Sequence, residues 1–512
     1  MEAIDALKQK VLSLAIQGKL VPQDPNDEPA SVLLEKIKAE KAELVKQGKI
    51  KKDKQESYIF RGDDNKYYEK IGSKTKDITD EIPFEIPDSW EFIRLKNLSD
   101  AYTGNSISEN IKASKYTNLK EGYNYIGTKD VGFNHVITYE NGVKIPFNDA
   151  SFRYAYKNAI LLCIEGGSAG RKVGILSEKV CFGNKLCAFH TFVIPENFLY
   201  YLIQSDYFFD LFRENVSGLI GGVSVNKIKE LIIPLPPLSE QKRIVSEIES
   251  IFKRIDEVKS NQEELARLKD GLKNKILDLA IQGKLVEQDP NDEPASVLLE
   301  KIKAEKAELV KQGKIKKDKQ ESYIFKGDDN RHYEKNGTET KDITEEIPFE
   351  IPNSWQWVRL GNVFNIILGQ SPDGNSVNDK EGIEFHQGKV FFGSKYLLKS
   401  NQYTTNPSKL VQKNTVLLCV RAPVGIVNVT ERDICIGRGL AGIANISSIS
   451  TDFIYYWLQA YKNEFISKAT GTTFVSITGD VIQNQLIPLP PLSEQERIIS
   501  AILKLTRMIE ML

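Results

Sequence analysis

The chain has 512 residues, with 69 Lys and Arg against 70 Asp and Glu and a formal net charge of -1. This balance excludes polyanion binding driven by global charge, so any contact with nucleic acid has to come from local patches. No signal peptide is visible and no apolar run reaches the ~18 to 20 residues of a membrane span, which predicts a cytoplasmic protein without a membrane partner.

The five cysteines form neither a CxxC pair nor a zinc quartet with the four histidines. We therefore expect no metal site and reduced thiols, mostly in the core.

The N-terminal quarter of the chain predicts two helices and a connector. Residues 6–18 read as part of a long helix, and a second helix is expected from about Ser31 to Gln47, with Gly48 at its C-cap. The basic run at residues 49–54 is typical of a solvated helix end, and it is also suited to contact with phosphate or a partner protein. Residues 14–60 recur as residues 279–325 with a single difference, Pro22 against Glu287.

A globular domain is expected at residues 88–235, anchored at its start by Trp90. Short β-branched and aromatic runs predict strands at 123–126 and 159–164, and a helix is expected from Phe198 to Phe212.

The sequence IPLPPLSEQ at residues 233–241 predicts the start of a long helix, with Ser239 as its N-cap. Apolar residues then recur at steps of four and three, the 3.5-residue period of a coiled-coil seam. The predicted seam of this helix consists of Ile244, Ile248, Ile251, Ile255, Val258, Leu265, Leu272, Ile276 and Leu279.

The same order then repeats. The second globular domain, at residues 353–488, has predicted strands at 416–420 and 425–429 and a predicted helix from Phe453 to Phe465. IPLPPLSEQ returns at 487–495, followed by the first half of a seam, and residues 6–18 match the second half, at 271–283. The seam positions of this split second helix are Leu7, Val11, Leu14, Ile498, Ile502, Leu505 and Ile509.

The repeat is therefore circular, which predicts an α+β protein with approximate two-fold symmetry. Two mixed α/β domains would be separated by a long antiparallel two-helix coiled coil. The predicted segments are a half-helix (1–20), a connector with a basic helix (21–87), domain 1 (88–235), the central helix (236–285), the repeated connector (286–352), domain 2 (353–488) and the other half-helix (489–512).

No catalytic constellation is visible in the sequence. A phosphate-binding GxxxxGK[ST] and the Asp/Asn-Pro-Pro-aromatic motif of amino-methyltransferases are absent. Pro87-Asp88 and Pro372-Asp373 occur, but neither of their domains contains the later Glu-x-Lys of metal-dependent nucleases. The glycine-rich residues 166–170 favour a tight loop between strands over a cofactor site. The chain is predicted to be non-catalytic and to bind no cofactor.

Basic side chains near glycine-containing loops are the candidates for DNA contact, because Lys and Arg can bond phosphates and base edges. Arg171, Lys172, Arg421 and Arg438 rank first, since glycine lets the backbone approach DNA closely. The full set of candidates is Lys115, Lys129, Arg153, Arg171, Lys172 and Lys185 in domain 1 and Lys395, Lys399, Arg421 and Arg438 in domain 2.

The paired IPLPPLSEQ sequences, the paired LAIQGKL sequences at 14–20 and 279–285 and the circular order resemble the specificity subunit of Type I restriction-modification systems. The resemblance covers essentially the whole chain. It implies two target-recognition domains that each read half of a split double-stranded DNA sequence, in a bacterial or archaeal, nucleoid-associated protein. The family's recognition-domain contacts vary, so they carry over no residue to this chain.

The resemblance also implies partners. Two modification subunits would methylate adenine with S-adenosylmethionine, and restriction subunits using ATP and Mg²⁺ would translocate and cut DNA. An alternative reading is a non-catalytic adaptor whose two variable domains bind protein or carbohydrate. A steep salt dependence of DNA affinity would separate the two readings.

Overall fold

The computed structural model describes residues 2–52, 56–217, 221–316, 322–471 and 475–512. The chain divides into two units, residues 1–262 and 263–512. Each unit contains a mixed helix-strand domain, and the 44-residue helix α8 (Leu238–Ile281) runs between the two domains. The predicted fold class is confirmed.

The first unit carries seven further helices among its described residues: α1 (Glu2–Ile16), α2 (Ala30–Lys46), α3 (Leu95–Leu98), α4 (Glu109–Ile111), α5 (Glu196–Ile203), α6 (Asp206–Glu214) and α7 (Val225–Lys229). Its described strands are β1 (Ser57–Arg61), β2 (Tyr67–Ile71), β3 (Lys74–Asp77), β4 (Glu91–Arg94), β5 (Ser99–Thr103), β6 (Tyr123–Ile126), β7 (Lys144–Ile145), β8 (Tyr154–Ala155), β9 (Ile160–Cys163), β10 (Val173–Ile175), β11 (Val180–Phe182), β12 (Leu186–Thr191) and β13 (Ile232–Leu235). They form sheets in the orders β1-β2-β3, β10-β9-β12-β5, β7-β6-β11-β8 and β13-β4.

The second unit carries six further helices among its described residues: α9 (Ala295–Lys311), α10 (Leu360–Val363), α11 (Thr451–Ala460), α12 (Lys462–Ser467), α13 (Gly479–Gln483) and α14 (Leu492–Glu510). Its described strands are β14 (Ser322–Lys326), β15 (His332–Asn336), β16 (Glu339–Asp342), β17 (Gln356–Arg359), β18 (Phe364–Leu368), β19 (Val377–Asn378), β20 (Ile383–His386), β21 (Tyr403–Thr404), β22 (Leu410–Val411), β23 (Val416–Cys419), β24 (Val427–Val429), β25 (Ile434–Ile436), β26 (Leu440–Asn445) and β27 (Leu486–Leu489).

The two domains share one topology although their sequences diverge. The sheet β18-β26-β23-β24 has the order of β5-β12-β9-β10, and the run β21-β20-β25-β22 has the order of β7-β6-β11-β8. In both domains the strand pair at the centre of the second sheet is parallel, β6 with β11 and β20 with β25. The similar sequences of β9 (ILLC) and β23 (VLLC) therefore reflect the same place in a common fold.

Strand β9 shows why these short apolar runs become central strands. Its side chains alternate between two cores, with Ile160 and Leu162 on the side of α5 and α6 and Leu161 and Cys163 on the side of β6 and β11. A strand buried on both faces needs an unbroken apolar run, because successive side chains point to opposite faces.

All five cysteines are free and buried, as predicted.

In the first unit, α1 lies antiparallel to the start of α8. Lys8 Nζ is 2.6 Å from Asp256, and Gln23, beyond the end of α1, donates to Glu240 at 2.6 Å. The contact partners of residues 8 and 23 are residues 256 and 240, so the two segments run in opposite directions.

In the second unit, α14 pairs with the end of α8 in the same antiparallel sense. Lys273 Nζ is 3.3 Å from Glu510, and Gln288 donates to Glu494 at 2.5 Å. These two contacts are the repeat equivalents of those in the first unit.

The predicted seam residues fall into three groups by burial. Those that are buried are Val11, Ile244, Ile248, Ile255, Ile498, Ile502 and Ile509. Those that are half-buried are Leu14, Ile251, Ile276, Leu279 and Leu505. A packed seam would bury every member, but four are exposed; their exposed fractions are 50% for Leu7, 54% for Val258, 40% for Leu265 and 47% for Leu272.

The exposed four lie beyond the last ion-paired turn of each helix pair. Leu7 precedes Lys8, and Val258 follows Asp256. Leu265 and Leu272 precede Lys273, which already faces Glu510 at the end of α14, so α14 ends before it reaches them. A heptad pattern predicts which face of a helix is apolar, but burial requires a partner along the whole length.

An N-cap at Ser239 predicts Glu240 as the first helical residue, but the helix begins two residues earlier, at Leu238 in the first copy and at the equivalent Leu492 in the second. Ser239 is therefore inside the first turn rather than at the N-cap. The equivalent Ser493 donates its hydroxyl to Asp292 at 2.5 Å.

A buried carboxylate ties the start of each long helix to its domain. Glu240 accepts from Trp90 Nε1 at 2.9 Å, and Glu494 accepts from Trp355 Nε1 at 2.8 Å. Both glutamates are almost fully buried, and this burial raises the pKa of each carboxyl. The two tryptophans are buried anchors, as predicted.

Each predicted aromatic-rich helix is two helices. The stretch 198–212 is broken at Ser205, which is extended (φ -71°, ψ 149°) and accepts from Phe208 N as the N-cap of α6. The stretch 453–465 changes direction at Tyr461, between α11 and α12. A serine side chain can accept from the free N–H groups at the start of a helix, so it can begin a new helix within a continuous apolar pattern.

The connector contains a three-stranded antiparallel sheet, β1-β2-β3, that the sequence analysis did not predict. Its turns place Asn65 and Gly72 at positive φ, which both residues tolerate. The helix before it ends at Lys46, and Gly48 (φ 68°) closes it as predicted. Of the predicted basic run, residues 53 and 54 lie outside the described residues.

Loss of the Trp90–Glu240 hydrogen bond is expected to lower the stability of the fold measurably. Trp90→Phe leaves a buried carboxylate oxygen without its donor and is expected to lower the free energy of unfolding by about 2 kcal/mol. Trp355→Phe should cost a similar amount through Glu494. Urea unfolding followed by circular dichroism measures both, with the exposed Tyr323→Phe as the control. Wild-type stability of both variants would show that the bond is not needed.

A buried ion network in domain 2 predicts acid sensitivity. Burial opposes the charge of Glu384, but bonds from Arg432 at 2.6 Å, from Ser400 N and from His386 lower its pKa from 4.5 to about 2. A lowered folded-state pKa stabilises the fold above pH 4.5, and this contribution is lost as the pH falls towards 2. The loss should reach about 3 kcal/mol.

Glu384→Gln tests this expectation by removing the titrating charge. The variant should be less stable at pH 7 and should change less in unfolding free energy between pH 5 and about 2.5 than the wild type. Glu381→Gln, on the exposed surface nearby, is the control. Equal acid dependence of the wild type and Glu384→Gln would contradict the role of the network.

Candidate nucleic-acid interface

Loops from both sheets of domain 1 gather at one edge, which we call loop edge 1. The parallel strands β6 and β11 end there together. Strands β5 and β9 are each antiparallel to β12, so both end where β12 begins, just after β11. Loop edge 1 consists of residues 104–106, 127–136, 164–172 and 183–185.

Four of the six candidates in domain 1 belong to loop edge 1, and Arg153 lies beside it. Lys129 follows β6 and Lys185 precedes β12, while Arg171 and Lys172 precede β10, the antiparallel neighbour of β9. Arg153 precedes β8, and its backbone N–H donates to Asn105 in the loop after β5 at 2.7 Å. The sixth candidate, Lys115, is exposed in a π-helical turn (Lys112–Tyr116) further from these strand ends.

The basic residues of the loop before β10 gather around an aromatic side chain that the sequence analysis missed. Phe133 is 61% exposed, and its ring centroid is 4.9 Å from Lys172 Nζ and 6.0 Å from the Arg171 guanidinium carbon. Lys172 also donates to the Thr128 carbonyl at 3.2 Å. Such a cluster offers cationic donors beside an apolar face, which suits a phosphate next to a base or methyl group.

Two further candidates already have partners inside the domain. Lys185 Nζ is 2.9 Å from Glu165, which neutralises part of its charge. Arg153 donates to the Thr103 carbonyl at 3.1 Å. Both side chains are exposed, so they keep other donor positions free for a ligand.

The glycine pair in the loop after β9 leaves room for a ligand. Gly166 has φ 87°, and a Cβ added to Gly166 or Gly167 would meet nothing within 4 Å. The loop connects two strands, as predicted, and its backbone is open to close approach.

Domain 2 has an equivalent edge, loop edge 2, formed by residues 369–371, 387–393, 420–426 and 437–439. Arg421 follows β23 and Arg438 precedes β26, and both are exposed. Lys389 is a second residue that the sequence analysis missed. Because Phe385 pairs with Cys435 as Tyr125 pairs with Cys181, Lys389 occupies the place of Lys129. The neighbouring Val390 is 83% exposed.

Lys395 does not lie at loop edge 2, whereas Lys399 lies beside it, because the N–H of the preceding Leu398 donates to the Phe391 carbonyl at 2.9 Å. The Lys395 carbonyl accepts from Val429 N, and Val429 pairs with Val416 at the opposite end of β23. Lys395 Nζ is 2.8 Å from Asp452. Burial opposes its charge, but the bond to Asp452 outweighs it and raises the pKa of Lys395. Lys399 lies in the same segment, next to Ser400, which binds Glu384.

The structure places the four first-ranked candidates, Arg171, Lys172, Arg421 and Arg438, at equivalent edges of the two domains. Their contact with DNA stays a prediction. A sequence signal existed for both missed apolar residues, since Val390 directly follows Lys389 and Phe133 follows Gly132, four residues after Lys129.

The described ranges contain no group of three or more His, Cys, Asp and Glu side chains that could hold a metal ion. Within the same ranges, no helix combines the length and the apolar character needed to cross a membrane.

Residues 87–267 and 352–512 match the family described as Type I restriction modification DNA specificity domain. The chain is 28% identical over 587 residues to the Type I restriction enzyme EcoAI specificity subunit of Escherichia coli, across 97% of this chain and 88% of that protein. It is 30% identical over 438 residues to the EcoEI specificity subunit of Escherichia coli, across 72% of this chain and 63% of that protein.

A solved structure supports the fold. It is titled as the structural basis of complex assembly and conformational transition of the type I R-M system, and it superposes with a TM-score of 0.58. The match covers 84% of this chain and 93% of that chain at 23% identity. The family match spans both domains, residues 238–267 of α8 and the whole of α14. The chain therefore belongs to the Type I restriction-modification specificity subunits, with two DNA specificity domains and a long helix between them.

Proposed function

We propose that this chain binds double-stranded DNA through loop edges 1 and 2 and reads a bipartite, asymmetric target. The observation that carries the proposal is the pair of equivalent edges, each rich in exposed basic side chains, on domains with one topology. Their residues differ, so their half-sites should differ. Each edge would enter the major groove, where every base pair presents a distinct pattern of donors and acceptors.

The chain would act as the recognition element for other subunits. It would bind no cofactor and carry out no catalysis, while S-adenosylmethionine would be bound by two modification subunits that methylate adenine at N6. Restriction subunits, where present, would use ATP and Mg²⁺ to translocate and cut the DNA. This activity would take place in the cytoplasm, at the bacterial or archaeal nucleoid.

The repeated connectors are the best candidate docking surfaces for the two modification subunits. In the first connector, α2 and β1 line a cavity of about 610 Å³ with apolar walls, including Leu34, Ile37 and Ile59, and lysines at its rim. The α2 sequence recurs unchanged in α9, and β14 differs from β1 only by Lys326 in place of Arg61. Near-identical surfaces in two repeats suit two copies of one partner.

The proposal is tested by mapping N6-methyladenine across the genome of cells that express this chain with its cognate modification subunit. A split, asymmetric motif should appear with the chain and be missing without it. The matched control supplies the same modification subunit with a different specificity chain. If that control is active and this chain adds no methylation, recognition of DNA by the chain is wrong.

A binding measurement separates DNA recognition from the adaptor alternative. Phosphate contacts release counterions, so the logarithm of the DNA affinity should fall linearly with the logarithm of the salt concentration. An adaptor for protein or carbohydrate would show weak, salt-insensitive DNA binding.

The continuous helix α8 predicts that the length of the spacer between half-sites can be changed. Four helix-forming residues inserted after Gln262, where residues 261–268 are all exposed, would lengthen the helix by about 6 Å. The preferred spacer should grow by about two base pairs, since base pairs are about 3.4 Å apart along the duplex. Methylation mapping, or binding to oligonucleotides with graded spacers, measures the change.

The control carries the same four residues after Ser73, in the exposed turn between β2 and β3, and should keep the original spacer. An α8 insertion that still binds DNA with the original spacer would contradict the role of α8 as a ruler.

A further inference from the structure

Loop edges 1 and 2 can be aligned residue by residue from their backbone bonds. Ile164 N donates to the Lys185 carbonyl at 3.0 Å, and Val420 N donates to the Gly439 carbonyl at 2.9 Å. Glu165 forms a bridge with Gly222, and Arg421 forms the equivalent bridge with Ser476.

A second bond confirms this alignment. Gly183 N donates to the Ile126 carbonyl at 2.9 Å, and Gly437 N donates to the His386 carbonyl at 2.8 Å. Arg421 therefore occupies the place of Glu165, and Arg438 occupies the place of Asn184.

The side chains at these two places differ in charge and in hydrogen-bonding groups. In domain 1, Glu165 forms an ion pair with Lys185 at 2.9 Å, and Asn184 offers a neutral amide. In domain 2, Gly439 replaces Lys185, and neither Arg421 nor Arg438 forms an ion pair with another described residue. The same two positions hold two exposed guanidinium groups in one domain and a neutralised pair with an amide in the other.

The backbone holds both arginines in defined places. Arg438 lies between Gly437 and Gly439, and a Cβ on either glycine would collide with Gln387. Arg421 is fixed by its bridge to Ser476, and the following Ala422 N donates to the Val475 carbonyl at 3.0 Å. An arginine on a fixed loop loses less conformational freedom on binding, so its planar fork suits bidentate recognition.

Given the proposed function, on which this inference rests, we propose that Arg421 and Arg438 determine the specificity of domain 2 by reading guanine in its half-site. The guanidinium fork matches the O6 and N7 acceptors of guanine in the major groove. In domain 1, the amide of Asn184 matches adenine instead, since it can donate to N7 and accept from N6. The two half-sites then differ at equivalent positions.

The test compares Arg421→Lys, Arg438→Lys and Asn184→Ala by methylation mapping with the modification subunit present. The lysine variants keep the positive charge but lose the fork. Each should reduce the preference for guanine at one position of one half-site by roughly tenfold to a hundredfold. Asn184→Ala should relax a position in the other half-site only. Lys413→Ala, exposed before the start of β23 and so at the opposite end of that strand from loop edge 2, is the matched control and should change neither half-site.

The possible outcomes are distinct. Loss of guanine preference at single positions, with a wild-type melting temperature, supports the inference. A half-site without guanine at the affected positions, an unchanged motif, or a uniform loss of affinity across all sequences would overturn it, because uniform loss is the signature of a phosphate contact. If the wild type itself produces no motif, the proposed function fails instead.

Discussion

The buried carboxylate at the start of each long helix is the interaction on which each unit depends. Glu240 accepts hydrogen bonds from Trp90, at the beginning of domain 1, and from Gln23, in the connector. One side chain therefore joins three segments that are distant in sequence. Burying a carboxylate is costly unless its oxygens are bonded, and here both oxygens have donors. Arg243 and Asp27 reinforce the joint at 2.6 Å.

The second unit repeats this joint with Glu494, Trp355 and Gln288, and with an Arg497–Asp292 pair at 2.6 Å. Buried polar groups that satisfy one another constrain the sequence strongly, since a change at one member leaves the others unpaired. This accounts for a frame that is nearly the same in both units. The loop edges, by contrast, are exposed ends of strands and can change without disturbing either core.

Much of the architecture could be predicted from the sequence, because it depends on hydrophobic periodicity and on internal repetition. The two domains, the long helix, the buried tryptophans and the strands around Leu161 and Leu417 follow from local pattern. The errors have local physical causes too. Ser205 starts a new helix inside an apolar pattern, and the connector sheet escaped prediction because its strands are short and largely polar.

By itself, the sequence determined the circular repeat, the order of the domains, the apolar face of each long helix and the kinds of side chain available for DNA contact. Only the tertiary structure decided which of those side chains lie together. Arg171, Lys172, Arg421 and Arg438 came to equivalent edges, whereas Lys395 came to the far end of its sheet and paired with Asp452. The reason is that strand pairing, which joins residues far apart in the chain, sets the edge at which each loop emerges.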